Sequence, residues 1–145
     1  MKISLRVNGA LHEVDVEPRR LLAHVLRDLG YTSVKVGCDT ATCGICTVLL
    51  NGRPVKSCNI LAVQADGSEI ITIDHTDEIM ERLRAAFKKH HAAQCGYCTP
   101  GMLTTAYFLA KSGVKTREEV TEGLSGVLCR CTGYQNVIEA VLEAL

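Results

Sequence analysis

The sequence predicts an α+β fold in two parts, strands around one helix over residues 1–75 and helices alone over residues 76–145. Three observations predict it. Strand, Asn-Gly and strand follow one another twice in the first half, at Asn8-Gly9 and at Asn51-Gly52, and Asn-Gly accepts the positive φ that a two-residue hairpin turn demands. Alternating and β-branched runs end at Ile70-Ile71-Thr72-Ile73. From Asp77 onward the chain carries helix start and stop signals instead.

In order along the chain, Ile3 to Val7 alternates, Asn8-Gly9 turns, and Leu11 to Val16 alternates again, which predicts a hairpin. After Pro18, apolar Leu22, Val25, Leu26 and Leu29 recur at helical spacing with Gly30 at the stop, so one amphipathic helix crosses that hairpin. A cysteine-rich loop leads into Thr47 to Leu50, Asn51-Gly52 and Pro54 to Lys56, a second hairpin, and Asp66-Gly67 turns into the strand ending at Ile73. In the second half, Asp77 caps a helix carrying Ile79, Leu83, Ala86 and Phe87. Thr99-Pro100 reads as N-cap and first residue of a helix running to Gly113. Thr116 with Glu119, and Thr132 with Gln135, have the spacing of capping boxes opening two more helices, 117–124 and 133–145.

The composition supports a globular protein with 47% apolar residues, and 16 Lys plus Arg balance 16 Asp plus Glu. With no basic run and zero formal charge, nucleic acid and anionic membrane are poor partners. Met1 to Leu11 reads as strand rather than as a secretory signal, and no stretch reaches the roughly 18 apolar residues of a membrane span. Eight cysteines in a chain without such a signal point away from disulfides and toward metal or redox chemistry in the cytoplasm.

Cys38, Cys43, Cys46 and Cys58 follow C-x4-C-x2-C-x11-C, and the first three have the plant-type ferredoxin spacing of a 2Fe-2S cluster. Four thiolates must wrap a compact anionic group, so three come from one tight loop and the fourth from a neighbouring strand. Gly37 and Gly44 let backbone N–H groups approach the inorganic sulfides. Structural zinc sites usually present two short cysteine knuckles instead.

The second quartet is Cys95 and Cys98 with Cys129 and Cys131. Taken alone it suits zinc as well as a cluster. Cys98 and Cys131 each precede a predicted helix start, so two helix dipoles are expected to face the site and depress its thiol pKa values. Arg130, between two of the cysteines, is a further candidate contributor. His12, His24, His75, His90 and His91 share no spacing with the cysteines, and the stripe Met102, Ala106, Leu109 and Ala110 reads as helix packing. No nucleotide, phosphate or nucleophile motif occurs. The chain therefore carries no substrate site of its own.

Three segments together resemble the small iron-sulfur subunits of the molybdenum hydroxylases, the xanthine oxidase family: Gly37 to Thr40 with Cys43 to Val48, Gln94 to Met102, and Leu128 to Asn136. The likeness runs nearly end to end and covers all eight cysteines. Gly37 to Thr40, Val55 to Cys58 and Ala62 to Ala65 look most like the small subunits of carbon monoxide dehydrogenases and aldehyde oxidoreductases. Val127 stands where the family commonly has asparagine, and Ile45 where it has a small alanine.

The resemblance implies a ferredoxin-like β-grasp domain over 1–75 and a four-helix 2Fe-2S-binding domain over 76–145. It implies two 2Fe-2S clusters, a large partner subunit with a molybdopterin-type molybdenum cofactor, and a medium partner subunit with FAD. Electrons would pass from molybdenum through the helical-domain cluster and the ferredoxin-like cluster to flavin. Gln94 and Cys131 would touch the pterin. Two other classes compete: a free-standing two-cluster electron carrier and a zinc-stabilised interaction module. Half a chain given to a second cluster domain, with no net charge for docking, argues against a diffusible carrier.

Overall fold

In the computed structural model, which describes residues 1–145, a five-stranded mixed sheet and one helix are followed by four helices. Strands β1 (Lys2–Val7) and β2 (Ala10–Asp15) form the first hairpin, and β3 (Thr47–Leu50) and β4 (Arg53–Lys56) form the second. Strand β5 (Glu69–Ile71) lies between them, parallel to β1 and antiparallel to β3, for a spatial order β2-β1-β5-β3-β4. Both Asn-Gly turns take positive φ at Asn and Gly, as a type I′ turn requires.

Helix α1 (Leu22–Asp28) buries Leu22, Ala23, Val25 and Leu26 against Leu5, Val7, Val48 and Ile70 of the sheet. This is the single crossing helix that its apolar period predicts. The helices α2 (Glu78–Lys89), α3 (Thr99–Lys111), α4 (Arg117–Leu124) and α5 (Gln135–Ala144) enclose a second core centred on Met80, Leu83, Met102, Tyr107, Val120, Leu124 and Val141. Strand β3 joins the two cores. Val48 points into the sheet core and Leu49 into the helical one, because successive strand residues face opposite ways. The sheet is thus covered by α1 on one face and α3 on the other.

The strand ending at Ile73 is shorter than expected. The ladder stops at Ile71, since the Thr72 N–H donates to Asn8 Oδ1 at 2.9 Å and the Asn8 amide donates to Thr72 Oγ1 at 2.8 Å. The joint between the cores is held by side chains. Ser33 donates to Asp74 at 2.6 Å, and the Arg84 guanidinium donates to the carbonyls of Ile73 and His75.

Asp77 caps α2 as expected, accepting from the Met80 N–H at 2.8 Å. Its carboxylate also accepts from the buried Tyr107 hydroxyl of α3 at 2.5 Å, and His75 Nε2 lies 3.2 Å away. Burial works to raise the Asp77 pKa, yet bonds from Tyr107, Met80 and His75 outweigh it and hold the carboxyl below its ordinary value. A depressed folded pKa contributes stability above the unfolded value near ~4, lost as pH falls through the folded pKa. Asp77→Ala should cost about 2 to 3 kcal/mol at neutral pH, combining a lost cap with an orphaned buried hydroxyl. In urea unfolding the deficit against wild type should shrink as pH drops below about 4; a deficit independent of pH down to the acid transition would contradict it.

Two helix starts differ from the local reading. The N-cap of α3 is Cys98, with Thr99 already helical. Helix α5 begins at Gln135 with Tyr134 as N-cap at φ 70° and no capping box, because the Thr132 hydroxyl oxygen accepts from the Tyr134 N–H at 3.2 Å rather than from that of Gln135. The Thr116–Glu119 box forms in full.

Candidate metal centres

The first quartet is assembled by the loop between α1 and β3 and by the turn after β4. Asp39, Ala41 and Gly44 have positive φ, and that curl brings the N–H groups of Thr40, Thr42 and Cys43 to Cys38 Sγ at 3.4, 3.3 and 3.3 Å. Ile45 N–H points at Cys43 Sγ and Cys58 N–H at Cys46 Sγ, both at 3.5 Å. Cys58 enters from a 3-10 turn, Ser57–Asn59, anchored by the buried Ser57 hydroxyl donating to the Cys46 carbonyl at 2.6 Å. Amide dipoles aimed at sulfur stabilise thiolate charge. The Thr40 hydroxyl, then the amides of Cys43, Thr40 and Thr42, lower the Cys38 pKa to about 6, whereas burial pushes Cys58 up. Gly37 is tightly surrounded: a Cβ there would stand 2.9 Å from Cys43 Sγ and 2.8 Å from Ile45 Cδ1, and both side chains would have to shift.

The second quartet comes from the loop before α3 and the loop between α4 and α5. Cys98 is buried, Cys129 half-buried, and Cys95 and Cys131 exposed. Cys98 meets Cys129, and Cys131 meets Cys95. The Thr132 N–H and hydroxyl both reach Cys129 Sγ, at 3.4 and 3.1 Å. Tyr134 closes the loop, its hydroxyl oxygen accepting from Cys129 N–H while its O–H donates to the Val127 carbonyl, each at 2.9 Å.

The expected depression of thiol pKa by two helix starts is not general here. Burial, with the neighbouring Cys129 thiol next, pushes Cys98 at the start of α3 up to about 12. Cys131 is raised through its contact with Cys95 and stands three residues before the α5 cap rather than beside it. Cys129 alone is lowered: burial opposes, but the Thr132 hydroxyl and nearby amides prevail. Desolvation outweighs a dipole where the thiol is shut away from water.

The two cysteine loops touch. Leu128 N–H donates to the Cys43 carbonyl at 2.7 Å, and the Tyr97 hydroxyl donates to the Val36 carbonyl at 2.8 Å. A Cβ on Gly101 would lie 2.8 Å from the Gly44 carbonyl oxygen, and one on Gly44 would overlap the Gly126 carbonyl. Ile45 packs against the helical core and Val127 lies buried within it, so both departures from the family pattern fill this junction.

Gln94 is exposed in the bend that carries Cys95, on the same open rim as Cys131. Arg130 is exposed there too. His12 bonds Tyr31, His75 meets Asp77 and His90 meets Glu143, with no ring nitrogen bonded to a cysteine. No three His, Cys, Asp or Glu side chains converge where one metal ion would sit. Sequence reasoning missed Tyr97, Gly101, Gly126, Thr132 and Tyr134 as parts of the sites. Only the repeated Cys-Thr dipeptide, at Cys46-Thr47, Cys98-Thr99 and Cys131-Thr132, carried a readable signal for any of them.

A family model described as a 2Fe-2S iron-sulfur cluster binding domain matches residues 5–72, and one described as a 2Fe-2S binding domain matches residues 71–142. The nicotine 6-hydroxylase small subunit of Paenarthrobacter nicotinovorans is 48% identical over 99% of this chain and 89% of its own length. The xanthine dehydrogenase iron-sulfur-binding subunit of Escherichia coli O157:H7 is 40% identical over 97% of this chain and 92% of its own. Among solved structures, quinoline 2-oxidoreductase from Pseudomonas putida 86 superposes with a TM-score of 0.92 at 46% identity, covering 99% of this chain and 91% of that one. The aldehyde oxidoreductase from Desulfovibrio desulfuricans gives 0.89 at 38% identity, covering 99% of this chain and 17% of that much longer one.

Proposed function

We infer, from the premise that the chain belongs to the small iron-sulfur subunits of the xanthine oxidase family of molybdenum hydroxylases, that its eight cysteines carry electrons between partner subunits. It is the electron-transfer subunit of an oxidoreductase complex, with two 2Fe-2S clusters of its own and with molybdenum-pterin and FAD on partner chains. A 2Fe-2S cluster, when bound, accepts and returns one electron.

The residues fit the group. Cys38, Cys43, Cys46 and Cys58 are the proposed ligands of one cluster, and Cys95, Cys98, Cys129 and Cys131 of the other. The amides gathered at Cys38 suit bulky anionic sulfur. The observation that carries the reading is the contact of the two cysteine loops through Leu128 N–H and the Cys43 carbonyl. It ties both sites into one rigid unit with a fixed separation, which a relay needs and two independent zinc modules do not.

The boundary is proposed at residues 75 and 76, where the sheet core gives way to the helical core. Cys131 and Gln94, exposed at one rim, are proposed to face the pterin of a large subunit, and the Cys38 side to face a medium FAD subunit. The order would then be molybdenum, helical-domain cluster, ferredoxin-like cluster, flavin. No helix is long and apolar enough to cross a membrane, and we place the complex in the cytoplasm.

Metal analysis of the complex tests the reading: about four iron and four acid-labile sulfide per copy of this chain are expected from two two-iron clusters. Zinc at about one or two atoms with little iron would overturn it. Copurification with a large molybdenum-containing chain separates the subunit from a free-standing carrier.

A further inference from the structure

Lys56, the half-buried last residue of β4, has no carboxylate partner. None of the ion pairs of the chain includes it. Its ammonium donates instead to the Ala41 carbonyl at 2.7 Å. A cation drawn partly out of water without a counter-ion is costly, so its place calls for negative charge that no Asp or Glu supplies.

Three links tie Lys56 to the first cysteine quartet. It precedes Cys58 by two residues. Across the β3–β4 ladder it pairs with Thr47, the residue after Cys46. Ala41, whose carbonyl it holds, lies in the loop from Cys38 to Cys43 at φ 59°, a left-handed conformation that a side chain disfavours and that needs holding. Burial, then the Cys46 thiol, push the Cys58 pKa up, and the Ala41 amide bonded to Cys58 opposes them. The carbonyl oxygen and amide nitrogen of one residue are three bonds apart, so the ammonium stands within on the order of 10 Å of the Cys58 thiol. Cys43, Cys46 and Cys58 are buried, and charges away from water are screened less than exposed ones.

Resting on the reading that Cys38, Cys43, Cys46 and Cys58 hold a 2Fe-2S cluster, we propose that Lys56 is a positioning residue for electron flow. Its charge raises the reduction potential of the ferredoxin-like cluster, and its hydrogen bond to Ala41 fixes the loop that carries the amides. An added electron makes that cluster more negative, so a nearby cation stabilises the reduced form more than the oxidised one. Lys56 thereby favours transfer of one electron out of the helical-domain cluster, which is oxidised, into the ferredoxin-like cluster, which is reduced.

Reductive titration of the complex with dithionite, followed by electron paramagnetic resonance, reads the two clusters separately, each signal assigned by the variant that loses it, Cys43→Ser or Cys98→Ser. Lys56→Met keeps the stem and removes the charge. At a fixed potential near the wild-type midpoint, the reduced-to-oxidised ratio of the ferredoxin-like cluster should fall about tenfold, which for one electron is about 59 mV. The helical-domain cluster should move far less, and Lys56→Arg should stay near wild type. A fully loaded Lys56→Met with an unchanged ferredoxin-like midpoint, both midpoints shifted alike, or Lys56→Arg shifted as far as Lys56→Met overturns the proposal. If Lys56→Met loses half the iron, Lys56→Gln, which keeps a donor for Ala41 without the charge, is read in its place. Full iron with a lowered ferredoxin-like midpoint then supports the proposal, and lost iron or an unchanged midpoint overturns it. Wild-type protein without iron would instead overturn the cluster reading beneath it.

Discussion

Gly44→Ala should destabilise the protein by about 3 to 5 kcal/mol, since it adds the cost of a left-handed alanine to that of forcing two backbones apart. Gly44 has φ +72°, and a Cβ there would overlap the Gly126 carbonyl and crowd Val127 Cα at 3.2 Å. No rotamer change relieves this, because the obstacle is main chain. Gly9→Ala is the control: its φ is +88° but nothing stands within 4 Å, so only the conformational cost of about 1 to 2 kcal/mol applies. Urea unfolding of the two variants should separate these contributions. Equal losses would mean that the junction between the cysteine loops yields without cost. The same clash should also lower iron content, as both sites lean on this contact, whereas Gly9→Ala should retain the full complement.

Cys98→Ser should halve the iron, from about four to about two per chain, and leave a single paramagnetic signal in the reduced complex. A serine hydroxyl is a poor substitute for a thiolate on iron, and Cys98 lies at the closed end of its site, where no solvent ligand can step in. Cys43→Ser should do the converse. The Cys43 carbonyl, not its thiol, holds Leu128, so the substitution leaves the hydrogen bond between the loops in place and the other signal intact. Loss of all iron from either variant would show that the two sites form only together.

Much of the fold was legible because its signals are local. The Asn8-Gly9 and Asn51-Gly52 turns, the 3.6-residue period of α1 and the Thr116–Glu119 box each depend on residues a few positions apart, and each forms as read. The Thr132–Gln135 pair has the same spacing and forms no box. The Tyr134 N–H takes the Thr132 hydroxyl oxygen that the cap would use, and spacing does not register a competitor. The Cys98 pKa failed for a similar reason. Its position at a helix start is visible in Thr99-Pro100, but the burial that overrides the dipole comes with neighbours such as Ile45 and Cys129 from distant parts of the chain.

By itself the sequence determined two sets of four thiols, two hairpins, one crossing helix and a helical second half, all through short-range spacing and periodicity. The tertiary structure alone decided that the two cysteine loops meet. That meeting depends on Gly44 presenting bare backbone to the Gly126 carbonyl, more than half the chain away, and on Gly101 presenting it to the Gly44 carbonyl. A glycine in one dimension marks only a place where the chain can turn; what approaches it is settled by how the sheet core and the helical core close on β3, a long-range packing event that no local pattern encodes.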